Sequence, residues 1–315
     1  MAMGGINLAV IVEQKDTWME RRSFGKTGMQ VSVLGFGGSE IGYDHTPADT
    51  VDSLLNTALD AGLNVIDTAE CYETSEELIG KTVSHRRDEY YLFTKCGHAD
   101  GFELPEWDPR LVAPSIERSL RRLRTDHLDL VQLHSCSTQT LRKGELITAL
   151  VRARESGKTR CIGYSGDNDA ALYAVTCGMF DALQISVNIV DQHAIDHILP
   201  LAQQHQLGVI AKRPMANGVW RFRTNPPDWY VRPYWNRWRK LNDAFHTAGS
   251  DAAATALRFT ITVPGVHTAI VGTTKPPRWR ENAALLAQGP LTDEQYRAIR
   301  DSWHAVASSD WLGQQ

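Results

Sequence analysis

GLNVIDTAECYETSEELIG, residues 62–80, decides the fold. Its first part, NVIDTA (64–69), is a short β-forming run that stops on an acid and a threonine. Its last part opens the segment SEELIGKTVSH (75–85), whose apolar residues recur at helical spacing. A strand followed closely by a helix is one βα unit. The same unit recurs through the chain, with strand candidates at VSVLGFGG (31–38), YYLFTK (90–95), LDLVQLH (128–134), CIGYSG (161–166), ALQISVN (182–188), GVIAKRP (208–214) and TAIVGT (268–273). Helix-patterned segments lie between them, several with stop and start signals such as Gly62, Gly157 and Gly178 near C-termini and Asn168 or Ser250 as N-caps. Eight βα units of about 30 residues are what a closed (β/α)8 TIM barrel requires, whereas an open doubly wound sheet uses fewer strands. The expected class is therefore α/β.

Three segments fall outside the repeat. ERRSFGKTGMQ (20–30) carries a Gly-Lys-Thr-Gly turn and reads as an N-terminal hairpin closing the barrel bottom. LTDEQYRAIRDSWHAV (291–306) reads as a capped C-terminal helix. The stretch from Ala216 to about Lys240, containing VWRFRTNPPDWYVRPYWNRWRK (219–240), reads as a long loop after strand seven, rich in tryptophan, tyrosine and arginine. It is expected to form a lid or substrate wall, with a subunit interface or a self-packed loop as the alternative. Residues 1–18 are expected to be an extension and 19–315 a single barrel domain.

With 315 residues, 42% of them hydrophobic and 22% charged, the chain can bury a large core. A net charge of −4 offers no global attraction for nucleic acid or an anionic membrane, so a small-molecule substrate is expected. INLAVIV (6–12) is too short to span a bilayer and lacks the flanks of an export signal. Five cysteines, an odd number without CxxC spacing, suit a reducing cytoplasm. Cys71, Cys96 and Cys136 follow three consecutive strands near His98 and His134, yet no pair has zinc spacing. Small buried thiols and no metal are expected, with a metal or redox site among these residues as the alternative.

The chemistry concentrates where strands end. Asp67 closes NVID, Lys95 closes YYLFTK, His134 closes LDLVQLH, and Tyr72 lies five residues beyond Asp67. Neighbouring parallel strands lie about 5 Å apart, so these groups converge at the C-terminal rim, where barrel enzymes build their sites. Reducing a carbonyl puts negative charge on its oxygen, which calls for a proton donor and polar stabilisers there. Tyr72 would be the donor, Lys95 would lower its pKa, Asp67 would hold Lys95, and His134 would orient the substrate oxygen.

These residues resemble the aldo-keto reductase family: the Asp-Thr-Ala segment with its downstream tyrosine and Ser-Glu pair, the lysine of FTKCG and the histidine of LDLVQLH. The resemblance implies a catalytic tetrad of Asp67, Tyr72, Lys95 and His134. It also implies a nicotinamide cofactor extended across the barrel mouth. GFGGSEIG (35–42), with Glu40 at the third glycine position, is no Rossmann fingerprint. CIGYSGD implies Ser165 and ALQISVN implies Gln184 at the carboxamide, and AKRPMANG implies Arg213, Pro214 and Met215. GTTKPPRWREN implies Gly272, Thr273, Thr274, Lys275, Arg278, Glu281 and Asn282 at the adenosine phosphate. Backbone N–H groups at that strand-to-helix turn are expected to help bind the phosphate. Lys275 and Arg278 favour NADP(H) over NAD(H), because a guanidinium grips a 2′-phosphate with paired hydrogen bonds.

Three positions depart from the family pattern: Gly166 stands in place of asparagine, Lys212 in place of an aromatic residue, and Val187 where many relatives have tyrosine. Asn168 is the candidate to replace the lost amide contact. Trp220, with Trp229 as a further substrate contact, is the candidate to cover the nicotinamide or substrate. The expected activity is reduction of an aldehyde, ketone or sugar-like carbonyl, or the reverse oxidation. Two alternatives remain at this stage: a cofactor-binding regulatory subunit with little turnover, and a barrel lyase or isomerase using Lys95 or Lys212 as a Schiff base, which needs a lysine away from acidic partners.

Overall fold

The computed structural model describes residues 19–246 and 251–314. The expected extension 1–18 and the expected N-cap Ser250 lie outside the described residues. Eight parallel strands close a barrel: β3 (Leu34–Gly37), β4 (Val65–Asp67), β5 (Tyr91–Cys96), β6 (Leu128–His134), β7 (Thr159–Ser165), β8 (Ala182–Ser186), β9 (Gly208–Lys212) and β10 (Thr268–Gly272), with β10 pairing back onto β3. This is the (β/α)8 barrel expected from the repeat.

The first strand candidate, 31–38, is two elements. Its start, Gln30–Ser32 (β2), pairs antiparallel with Arg21–Ser23 (β1), and only Leu34–Gly37 enters the barrel. The hairpin plugs the bottom. Phe24, Met29 and Val31 are fully buried against Val65, Phe93, Leu130, Ala182 and Ile210, and the Phe24 ring stacks on Phe93 at 5.6 Å. Gly208 lies beneath the Phe24 ring, where a Cβ would come within 2.6 Å of it.

Side chains alternate across a strand, so the members of that bottom layer fix which residues face inward above them. Two residues above Val65 is Asp67, two above Phe93 is Lys95, two above Leu130 is Gln132, and two above Ala182 is Gln184. Apolar packing at the bottom thus aims four polar side chains into the barrel at its upper level. Gly163 makes room for them: a Cβ there would meet Gln132 Cγ at 3.1 Å.

The aromatic stretch is not all loop. Ala216–Arg221 forms a 3₁₀ turn and Arg232–His246 an α-helix. Tyr234, Arg237 and Leu241, spaced three and four apart, are buried on one face, which is the helical period hidden among polar residues. Arg237 tolerates burial because it donates to Leu312 O at 2.6 Å and lies 3.6 Å from Asp191. The helix after 250 is capped by Asp251, whose side chain accepts from Ala253 N, and the C-terminal helix Asp293–Val306 has a capping box of Thr292 and Gln295. No described helix is long and apolar enough to cross a membrane.

Candidate active site

Asp67 and His134 end β4 and β6 and Lys95 is the penultimate residue of β5 between them, and their register places Asp67 opposite Phe93, Lys95 opposite Gln132 and His134 opposite Ser165. Lys95 Nζ donates to Asp67 Oδ2 at 2.5 Å and to Thr68 O at 2.7 Å. Both members of the pair are 1% exposed. The other carboxylate oxygen, Oδ1, accepts from Gln184 Nε2 at 2.9 Å and Gln132 Nε2 at 3.3 Å. Burial pushes the Asp67 carboxyl up, and the Lys95 ammonium with these hydrogen bonds opposes it.

Tyr72 sits on the turn leaving β4. That turn is pinned by Ser75, whose hydroxyl donates to Gly38 O at 2.7 Å and contacts Thr68 Oγ1 at 2.8 Å. Gly42 packs under it so closely that a Cβ would stand 2.0 Å from Tyr72 O. The Tyr72 ring centroid is 5.0 Å from Lys95 Nζ and 5.6 Å from the His134 ring. The sequence expectation that Lys95 lowers the Tyr72 pKa is not met. Burial raises it well above 10, with Asp67 adding to the rise and Arg213 opposing it. The ammonium is largely neutralised by Asp67, so desolvation of the phenolate wins. The phenol is therefore held protonated. His134 is pushed well below the usual histidine range by burial, then by Lys95, His98 and Lys212, and stays neutral.

Ser165 Oγ donates to Gln184 Oε1 at 2.9 Å, so the two residues expected at a carboxamide touch each other and, through Gln184, Asp67. Gly166 has no room for a side chain, since a Cβ would come within 2.4 Å of Tyr164 Oη. Asn168 does not replace it: both ends of its amide are engaged by the backbone of Gly313. Lys212 Nζ lies 2.8 Å from Asp167 Oδ2. Both candidate Schiff-base lysines thus have acidic partners, which counts against that alternative.

The aromatic stretch meets the site through a residue the sequence reading did not single out. Trp220 packs on Trp238 at 6.3 Å, and Trp229 is 76% exposed, its ring 5.7 Å from that of Tyr230. Tyr230 Oη instead accepts from Arg213 Nε at 2.5 Å, and both groups act electrostatically on Tyr72. Tyr230 is therefore the aromatic of this stretch tied to Arg213. Arg213 also donates to Ser186 Oγ at 3.1 Å and to Gln314 O, Pro214 O lies 3.4 Å from Thr260 Oγ1, and Met215 packs on the core.

Beyond β10, Gly272 is followed by buried Thr273 and the half-buried Thr274, while Lys275 and Arg278 are exposed. Arg278 Nε is 3.3 Å from Glu281, and Asn282 is buried. The backbone there is a poorer anion donor than expected. Pro276 and Pro277 occupy the first helical positions and lack N–H, Lys275 N donates to Thr273 Oγ1, and Arg278 N donates to Lys275 O. The positive charge exposed at this turn is on the side chains of Lys275 and Arg278.

Further out, buried Glu76 accepts from Thr94 Oγ1 at 2.7 Å, with Arg122 at 3.6 Å. Burial lifts its pKa from 4.5 to about 7. Because the folded pKa is raised, stability is full below pH 4.5 and is lost as pH rises towards 7; at about 1.4 kcal/mol per pH unit the loss is roughly 3 kcal/mol. Urea midpoints from pH 4.5 to 8 are expected to show this fall, and Glu76→Gln to flatten it. An unchanged slope in the variant would locate the dependence elsewhere.

Cys96, Cys136 and Cys161 are buried free thiols, as expected. Cys71 is different: its Sγ lies 3.4 Å from His134 Nδ1, and together with His98 it forms a three-residue cluster whose candidate ligand atoms all lie within 4.8 Å of one another.

Residues 33–304 match the model of the Aldo/keto reductase family. L-galactose dehydrogenase of Arabidopsis thaliana is 29% identical over 290 residues, covering 86% of this chain and 89% of its own. The uncharacterised oxidoreductase YqkF of Bacillus subtilis (strain 168) is 27% identical over 300 residues, covering 90% and 96%. The holo form of an aldo-keto reductase from Bacillus halodurans, AKR11C1, superposes with a TM-score of 0.81 at 25% identity, over 93% of this chain and 99% of that one. A barrel closed by eight strands, a buried Asp-Lys pair with tyrosine and histidine at its rim, and a family match over most of the length lead to one conclusion: this chain belongs to the aldo/keto reductase family and shares its oxidoreductase character.

Proposed function

We propose that the protein is an NADP(H)-dependent oxidoreductase that reduces an aldehyde, ketone or sugar-like carbonyl, or runs the reverse oxidation, with Tyr72 as general acid/base. The observation that carries this reading is the buried Asp67–Lys95 pair beside the Tyr72 and His134 rings. The donor set suits the cofactor at both ends. Ser165 Oγ keeps lone pairs to accept from a carboxamide, and Lys275 and Arg278 offer exposed cations to a 2′-phosphate. When bound, the nicotinamide supplies hydride to the carbonyl carbon or takes it from the alcohol.

The chain's own residues handle the oxygen. Tyr72, protonated across the neutral range, gives its proton to the oxygen as charge develops there. Lys95, held by Asp67 and Thr68 O, keeps positive charge 5.0 Å from the phenol ring, and neutral His134 donates an N–H to the same oxygen. In the oxidation direction Tyr72 accepts the proton in its phenolate form, which Arg213 favours. The sugar-dehydrogenase name of the Arabidopsis relative supports including sugars among the substrates.

Following NADPH absorbance with a panel of aldehydes, ketones and aldoses tests the activity; no turnover with any member in either direction would favour the regulatory-subunit alternative. Arg278→Ala is expected to weaken NADPH at least tenfold while changing NADH less than twofold, measured by fluorescence titration. Equal losses for both cofactors would remove Arg278 from the 2′-phosphate.

A further inference from the structure

We propose that Cys71, His98 and His134 form a reversible binding site for a thiophilic divalent metal ion, with Zn²⁺ the best fit, and that its occupancy shuts the catalytic centre down. The shutdown rests on the role given to His134 above; the metal binding does not.

Three successive strands deliver one ligand each. Cys71 lies four residues beyond the end of β4, His98 two beyond β5, and His134 ends β6. Their candidate ligand atoms lie within 4.8 Å of one another, and Cys71 Sγ to His134 Nδ1 is 3.4 Å. With Zn–S near 2.3 Å and Zn–N near 2.05 Å, tetrahedral coordination needs ligand atoms about 3.3–3.7 Å apart. One edge of the polyhedron is already made, and the others close with shifts of about 1 Å. One thiolate and two imidazoles are a borderline-soft set that suits zinc and leaves a fourth position to solvent.

His98 is also held as metal-binding histidines are. Its Nδ1 is 3.3 Å from Glu106 Oε1, so a neutral ring that donates there presents Nε2 as the ligand. Trp107 packs on the same ring at 4.8 Å, over Gly97, where a Cβ would stand 2.3 Å from the indole. Binding displaces the Cys71 thiol proton to solvent as the S–metal bond forms. The ion, seated at His134 Nδ1 beside the Tyr72 ring, then brings its own charge and coordinated solvent to the place where the substrate oxygen would be held.

Cobalt is the probe. Adding Co²⁺ to the reduced, metal-free protein is expected to produce a thiolate-to-cobalt charge-transfer band that saturates at one equivalent and is bleached by Zn²⁺. Cys71→Ser should abolish the band, His98→Ala should weaken binding at least tenfold, and Glu106→Gln should weaken it about 10–100-fold through the orientation of His98. No band in the wild type, or a band surviving both Cys71→Ser and His98→Ala, overturns the site. Far-ultraviolet circular dichroism identifies any variant that has failed to fold, and Glu106→Gln, at a surface carboxylate, keeps the test available. In turnover assays Zn²⁺ should inhibit the wild type, with activity restored by chelator, while Glu106→Gln, changed at an exposed carboxylate that meets only His98 among the described residues, keeps its basal rate and needs at least tenfold more zinc. Zinc that binds yet leaves turnover unchanged overturns the shutdown. Absence of turnover in the metal-free protein would instead count against the reductase reading, with the cobalt band still deciding the site.

Discussion

Replacing Tyr72 with phenylalanine is expected to lower kcat about 10²–10⁴-fold, the range that general acid catalysis contributes, while NADPH affinity changes less than twofold. The change removes one oxygen from a turn set by backbone contacts. Tyr72 N donates to Ala69 O at 3.1 Å, Ser75 N donates to Tyr72 O at 2.9 Å, and Gly42 packs beneath. The ring packing on His134 and over Lys95 survives the substitution. Stopped-flow turnover and fluorescence titration separate the two readouts. A variant retaining a tenth or more of wild-type kcat would remove the phenol from proton transfer. Since burial keeps that phenol protonated well above its usual range, wild-type reduction should show no fall from Tyr72 ionisation between pH 6 and 9.

Lys95→Met is the second large expectation, on activity and stability together. It strands Asp67, 1% exposed, with two amides and no cation. Breaking a buried pair on one side costs about 3–5 kcal/mol, whereas replacing both charges is often nearly neutral. The single variant should therefore melt on the order of 10 °C lower, and Asp67→Asn combined with Lys95→Met should recover most of that loss without recovering turnover. The deficit also has a sign with pH. Asp67, already raised by burial and now without Lys95, takes up a proton as pH falls, so the single variant loses less stability at pH 5 than at pH 8. Melting temperatures of the three proteins at both pH values check this. A single variant as stable as the double would mean that the pair contributes no net electrostatics to the fold.

The barrel was legible because each βα unit is written locally. Val65, Phe93 and Leu130 lie two residues from Asp67, Lys95 and Gln132, and a period of two carries one polar residue onto the inner face for every apolar one below it. The same alternation could have identified Gln132, which the sequence reading passed over. The helix Arg232–His246 was hidden because its buried stripe contains an arginine, Arg237, whose burial depends on Leu312 O and Asp191, neither of them near in sequence. Tyr230 was equally hidden among seven aromatic residues of similar composition. Only its hydrogen bond to Arg213 distinguishes it.

Local chemistry in the chain therefore settled the strand and helix order, the closed parallel sheet, and the rim on which Asp67, Tyr72, Lys95 and His134 stand. Tertiary structure decided how those groups behave. The Tyr72 phenol is raised rather than lowered, because the Lys95 charge is already matched by Asp67 at 2.5 Å and desolvation outweighs what remains. Lys212 is paired with Asp167, Asn168 is tied to Gly313, and Cys71 meets His134. Periodicity tells which way a side chain points, because backbone geometry sets it residue by residue. Partner choice and pKa depend on distances across the barrel and on exclusion of water, which exist only once the strands have closed.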